Sequence, residues 1–333
     1  MTGLLRTLII AAAVAASQAG ACWGAQAIRI AAQKTGTFAW ELDVIRAHGL
    51  DKKAGLSLQV QELASPEAGK IALRAGSADI MISDWLWVSR ERALGAKLTF
   101  YPYSSALGAV MVPNSSPIRS LDDLKGRKLA VAGGPLDKNW LLLQASLQRN
   151  GISLKSDATI VYGAAPLISA QILSGDVDAA VNYWNFSAAL EAKGFHPLAT
   201  TQDLVKGFGA QGPVAMLGYV FDEKWGNANH DTLARFVEAT RKAKEILATS
   251  DQEWERIAPL TGAPDAATLR AYRDRYREGI PRRSVDDEEG DARILYRVLA
   301  KIGGRDLVGP APELDPGTFY HQISAEPHPI AGD

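Results

Sequence analysis

One pattern occurs twice in this chain, and it limits the fold more than any single motif does. Ile28-Arg-Ile-Ala-Ala32 alternates as a strand and ends in the polar loop Gln33–Thr37. A helix follows over about Trp40–His48, closed by Gly49, and Leu56–Glu62 alternates as a second strand. Glu67–Ala75 has helical spacing with Gly76 as its stop, and Ile80-Met-Ile82 is a short buried strand. The same order returns as strand Lys128–Ala132, turn Gly133-Gly134-Pro135, helix Lys138–Asn150, strand Thr159–Tyr162, helix Leu167–Leu173 and strand Ala179–Val181. In each half the last helix-stop glycine precedes an acidic turn: Gly76-Ser-Ala-Asp79 and Gly175-Asp-Val-Asp178. Strands and helices alternating through short loops predict βαβ units on mainly parallel sheets. The expectation is an α/β protein of two similar lobes. The extended segments Ala106–Pro113 and Pro213–Val220 are expected to cross between them. From Asn229 onward the spacing is helical, over Leu233–Ala248, Thr268–Glu278 and Ala292–Ile302.

Composition removes several function classes. Lys and Arg (36) nearly cancel Asp and Glu (37), so no global positive field invites nucleic acid. Cys22 is the one cysteine, which excludes a disulfide framework and a multi-cysteine metal site. Residues 1–27 read as an export signal, with Arg6 as its only charge, an apolar run Leu8–Ala16 and two small-x-small sites ending at Ala21 and Ala27. The expected cleavage follows Ala27, giving a soluble periplasmic protein. Lipid anchoring at Cys22 is the less favoured alternative, because Ala19 stands where such sites usually have a bulky residue.

Three stretches then resemble a known family. They are Gly49–Leu63 with Ala68–Ile80, SLDDLKGRKLAVAGG (Ser120–Gly134) and ISAQILSGDVDAAVNYW (Ile168–Trp184). Together they are similar to periplasmic solute-binding proteins of ABC importers, in the sulfonate, taurine, nitrate and thiamine-precursor (NMT1/THI5-like) group. The resemblance implies a type II periplasmic binding protein fold: two lobes with mainly parallel sheets, flanking helices and two crossing strands. Residues 28–107 with 217–333 would form lobe I and 108–216 lobe II, with the ligand between them. It further implies a small-molecule solute, an inner-membrane ABC permease as partner, a monomer, and no required cofactor, metal or catalytic residue.

In open α/β sheets, ligands sit beyond the carboxyl ends of the strands. That rule selects Lys34, Thr35, Gly36, Thr37, Phe38 and Trp40 after the first strand, and Ser83, Asp84, Trp85 and Trp87 after the third. In the second half it selects Gly133, Gly134, Asp137, Lys138, Asn139 and Trp140, then Asn182, Tyr183, Trp184 and Asn185. Gly133-Gly134 before a helix would offer backbone N–H groups to an anion, although Gly-Gly-Pro is also an ordinary turn.

Five of the eight tryptophans (Trp40, Trp85, Trp87, Trp140 and Trp184) fall in these segments, which suits a flat conjugated ligand that stacks. The competing reading is core packing, above all for Trp140, spaced helically with Leu143 and Leu147. Of Trp85 and Trp87 only one faces a ligand if that segment is extended. Lys34, Lys138 and Arg90 are the basic candidates. The preferred ligand is therefore a small planar aromatic or heteroaromatic anion, for which pyrroloquinoline quinone is a candidate. An aliphatic sulfonate, taurine or a thiamine pyrimidine precursor is the alternative. Two other function classes remain: an enzyme related to thiamine-pyrimidine synthases, which lacks its cysteine-rich motif here, and a ligand-sensing accessory protein of a periplasmic dehydrogenase. The histidines (His48, His196, His230, His321 and His328) have no metal spacing, Asp286–Glu289 reads as a solvated loop, and Asp176 with Asp178 as turn residues.

Overall fold

Among the described residues, ten strands and their flanking helices follow the doubled order read from the sequence. The computed structural model describes residues 25–34 and 36–323; most of the leader, Thr35 and His328 lie outside the described residues. The first run is β1 (Gln26–Gln33), α1 (Thr37–Ala47), β2 (Leu56–Leu63), α2 (Pro66–Arg74), β3 (Ile80–Asp84), α3 (Trp85–Ala93) and β4 (Leu98–Ser104). The second is β5 (Ala109–Pro113), β6 (Lys128–Ala132), α4 (Lys138–Gln148), β7 (Thr159–Gly163), α5 (Ala165–Leu173), β8 (Ala179–Asn182), α6 (Trp184–Glu191), β9 (Phe195–Thr200) and α7 (Thr201–Gly207). Then come β10 (Leu217–Asp222), α8 (Glu223–Ala228), α9 (His230–Thr249), α10 (Asp251–Thr261), α11 (Ala266–Glu278) and α12 (Val285–Val308). Gln26 and Ala27, read as the end of the leader, are the first two residues of β1 and pair with Leu56 and Ser57.

The strands form two five-stranded sheets of one design, β2-β1-β3-β10-β4 and β7-β6-β8-β5-β9. In each, the fourth position is antiparallel to its neighbours, and it is filled by one of the two segments expected to cross. The matching acidic turns do matching work. Asp79 Oδ2 accepts the backbone N–H of Arg29 at 2.8 Å, and Asp178 Oδ2 accepts that of Lys128 at 2.8 Å. Each carboxylate ties the turn after a helix to the first parallel strand of its sheet, β1 or β6. Ser120 and Asp123 form a capping box on the short turn Leu121–Leu124 that leads into β6.

Two strands were not expected, and they fail in the same way. β4 and β9 each lie at one edge of their sheet, and each carries a proline, Pro102 or Pro197. In both, the register with the antiparallel neighbour shifts next to that proline. Proline lacks the ladder N–H, so a strand tolerates it at an edge or beside a bulge, which erases the local strand signal. Two further expectations are corrected. Trp85–Ala93 is a helix started by Asp84, not an extended segment, because the Asp84 carboxylate accepts the Trp87 N–H at 2.9 Å. Asp286–Glu289 is the first turn of α12, capped by Ser284, not a solvated loop; Glu288 is buried there.

The C-terminal helices brace the whole. α12 packs on both α3 and α4, and α11 packs on α6, so this part of the chain touches the layers of both sheets. Among the described residues no helix is long and apolar enough to cross a membrane.

Candidate functional site

The carboxyl ends of β1, β2 and β3 face those of β6 and β8 across a cavity of about 550 Å³. Both crossing segments contribute to its wall, through Ala106–Gly108 and Met216–Leu217. Part of its wall is polar and fixed: Thr201 Oγ1 lies 2.8 Å from the Gly108 carbonyl oxygen and 2.9 Å from Asn139 Oδ1. Gly108 has no room for a side chain, since a Cβ there would sit 2.0 Å from the Asn182 carbonyl oxygen.

Twelve of the residues selected from sequence line this cavity: Gly36, Thr37, Phe38, Trp40, Ser83, Asp84, Asp137, Lys138, Asn139, Tyr183, Trp184 and Asn185. Their central feature joins the two halves of the molecule. Lys138 Nζ, at the start of α4, donates to Asp84 Oδ2, at the end of β3, at 3.0 Å. Burial would raise the pKa of Asp84, but the Lys138 charge and the Trp87 N–H hold it below the usual carboxylate value. Burial would lower that of Lys138; the Asp84 charge and hydrogen bond outweigh it, and the ammonium persists. Asp137 differs: burial pushes its pKa up, only partly offset by the Trp140 N–H it caps and by Lys138.

The remaining sequence candidates lie elsewhere, for physical reasons. Trp85 and Trp140 have no exposed surface. Trp85 packs against Tyr296, and Trp140 edge-on against Tyr162, so both are core residues. Trp87 sits under Lys70, whose ammonium is 5.2 Å from the ring centroid. Gly133 and Gly134 do not line the cavity; the helix they precede begins only at Lys138, and Asp137 already occupies its N-terminus. Lys34 is exposed and outside the wall, and Arg90 reaches toward the Asp306 carbonyl at the far end of α3.

The aromatic expectation changes most. Trp40 meets Trp184 edge-on at 6.1 Å, stacks with Tyr272 at 6.2 Å and touches Trp254 at 5.9 Å. Its Nε1 donates to the Leu260 carbonyl. Phe38 is likewise taken up by Tyr103 and Tyr219. These rings are largely satisfied by one another, leaving Tyr183 and Trp184 as the more open ones.

Sequence reasoning missed Ser65, Glu67 and Lys70 at the start of α2, together with Tyr103 and Thr201. The same strand-end rule, applied to β2, β4 and β9, would have found them; the last two strands were hidden by their prolines. No His or Cys is among the lining residues, and no described cluster of His, Cys, Asp and Glu is arranged to hold a metal.

Residues 44–253, more than half the chain, match the family model described as NMT1/THI5 like. Among solved structures, the periplasmic aliphatic sulphonate binding protein of Escherichia coli is similar, with a TM-score of 0.71 at 20% identity, covering 90% of this chain and 98% of that one. The alkanesulfonate-binding protein of Xanthomonas axonopodis pv. citri, bound to MOPS, has a TM-score of 0.63 at 21% identity, covering 88% and 98%. An ABC transporter structure from Parabacteroides distasonis has a TM-score of 0.66 at 15% identity, covering 89% and 99%. At these identities the likeness is one of fold. No curated protein matches the chain.

Proposed function

This chain belongs to the NMT1/THI5-like family, and from that premise we propose that it is the periplasmic solute-binding component of an ABC importer. The observation that carries the proposal is the cavity between two sheets of one design, where Asp84 from the first meets Lys138 from the second. Residues 28–107 with 217–333 act as one lobe and 108–216 as the other. The two crossing segments are the hinge, and a solute enters when the lobes separate. The protein works as a monomer and hands its solute to an inner-membrane permease. Binding rather than catalysis suits a wall with no His or Cys.

For the solute we propose a small organic molecule with an anionic group. Lys138 supplies the charge. The starts of α1 and α6, which line the cavity and have no side-chain cap, supply backbone N–H donors. Sulfonates fit this description, and the similar structures from E. coli and Xanthomonas are named for binding them. A flat polyanion such as pyrroloquinoline quinone is disfavoured. The stacking rings that suggested it are packed on one another, and Asp84, Asp137 and Glu67 outnumber Lys70 and Lys138 on the wall.

Thermal unfolding in the presence of taurine, alkanesulfonates, pyrroloquinoline quinone and a thiamine pyrimidine precursor tests the proposal. A saturable rise in melting temperature with a sulfonate, lost in Lys138→Met, is expected. No rise with any compound, or a rise that Lys138→Met leaves intact, contradicts it.

A further inference from the structure

The cavity has an unusual feature for a site that takes a simple anion: its best-placed cation is already occupied. Lys138 Nζ is bound to Asp84 Oδ2, and the other Asp84 oxygen is committed to the Trp87 N–H. A lone anion that draws Lys138 away leaves Asp84 Oδ2 without a partner, on a side chain only 14% exposed. An uncompensated carboxylate at that depth opposes binding strongly. Lys70 is no ready substitute. Its ammonium pairs with Glu67 at 3.9 Å and lies over the Trp87 ring, and it makes no hydrogen bond to Asp84. Asp137 adds a further acidic group whose charge acts on Lys138.

We propose that the solute is a zwitterion and that Asp84 is the residue that selects it: the ligand's anionic group takes Lys138 while its cationic nitrogen takes Asp84 Oδ2. The ion pair thus exchanges partners on binding, so neither charge is left bare. Splitting one buried pair and making two is the physical basis of selection. An amine-free analogue makes only one of the two new contacts. This inference rests on the binding-protein reading above and narrows its solute class.

Calorimetry with matched probes tests it: taurine against ethanesulfonate, 3-aminopropanesulfonate against propanesulfonate, and 4-aminobutyrate against butyrate. In the wild-type protein at least one amine-bearing member should bind about tenfold or more tightly than its amine-free twin. Asp84→Asn, which keeps a side-chain oxygen to cap α3, should erase that preference. Equal or tighter binding of the amine-free members overturns the inference and leaves the binding-protein reading standing. Failure of all these probes overturns it too. If the wider panel of the thermal experiment also fails, the binding-protein reading falls with it. Because the preference is read in the wild-type protein, the test stands even if Asp84→Asn is poorly folded.

Discussion

Among the described residues, two ion pairs reach from the part of the chain that builds the second sheet to the rest of it, and they are built for different work. Inside the cavity, Asp84 and Lys138 meet through one hydrogen bond at 3.0 Å, with the Asp84 side chain 14% exposed. At the outer edge, Arg275 of α11 grips Glu191 of α6 with a forked contact, Nε and Nη2 donating to the two carboxylate oxygens, and reaches Glu278 as well. The outer pair lies in partial contact with solvent on both sides. A bidentate, wet contact between helices holds shape at small net energy and re-forms easily. A single-point contact in a cavity wall leaves both charges waiting for better partners. On the function proposed above, the outer pair holds the helices in place and the inner one recognises the solute.

A buried carboxyl without a cation of its own gives the largest effect and sharpens the contrast. Glu288, on α12, accepts the Ala215 N–H at 2.7 Å, its other oxygen has no partner, and the neighbouring Arg283 is bound to Asp291. Burial raises its pKa from 4.5 to about 7. The folded state therefore retains a proton that the unfolded chain gives up. The associated stability is complete below about pH 4.5 and is lost as pH rises through about 7, amounting to about 3 kcal/mol. Urea unfolding at about pH 5 and about pH 8 should show this fall in the wild type and lack it in Glu288→Gln. Asp84, held ionised by Lys138, follows the opposite sign.

Next in size, Lys138→Met strands Asp84 and should lower stability by about 2 kcal/mol at neutral pH, read by urea unfolding. The figure is below that for a sealed interior because the open cavity admits water. Smallest is Arg275→Met, about 1 kcal/mol or less, an effect that 1 M salt should erase while sparing that of Lys138→Met. Equal effects of the two substitutions, with equal salt response, would break the comparison.

Most of the fold was legible in the sequence because the two halves repeat one pattern, down to Asp79 and Asp178. What was hidden was hidden by proline in β4 and β9 and by Asp84, whose capping role turns an apparently extended Trp85-Leu-Trp87 into a helix. The site was legible as far as backbone placement decides it: the ends of β1, β3, β6 and β8. Side-chain fate was not. Whether a tryptophan near a strand end meets ligand or core depends on the helix face it occupies. Trp85 and Trp140 turned inward onto Tyr296 and Tyr162, and Trp40 found Tyr272, which is more than two hundred residues away in sequence. The Asp84–Lys138 contact spans 54 residues and no local pattern announces it.

The most direct test is a crystal structure of the protein with the tightest-binding compound from the panels above. The account predicts a ligand in the cavity, touching residues of both sheets, with its charged groups inserted between Asp84 and Lys138 and the direct contact between them broken. A ligand bound elsewhere, or one in the cavity with the Asp84–Lys138 hydrogen bond intact, would contradict it.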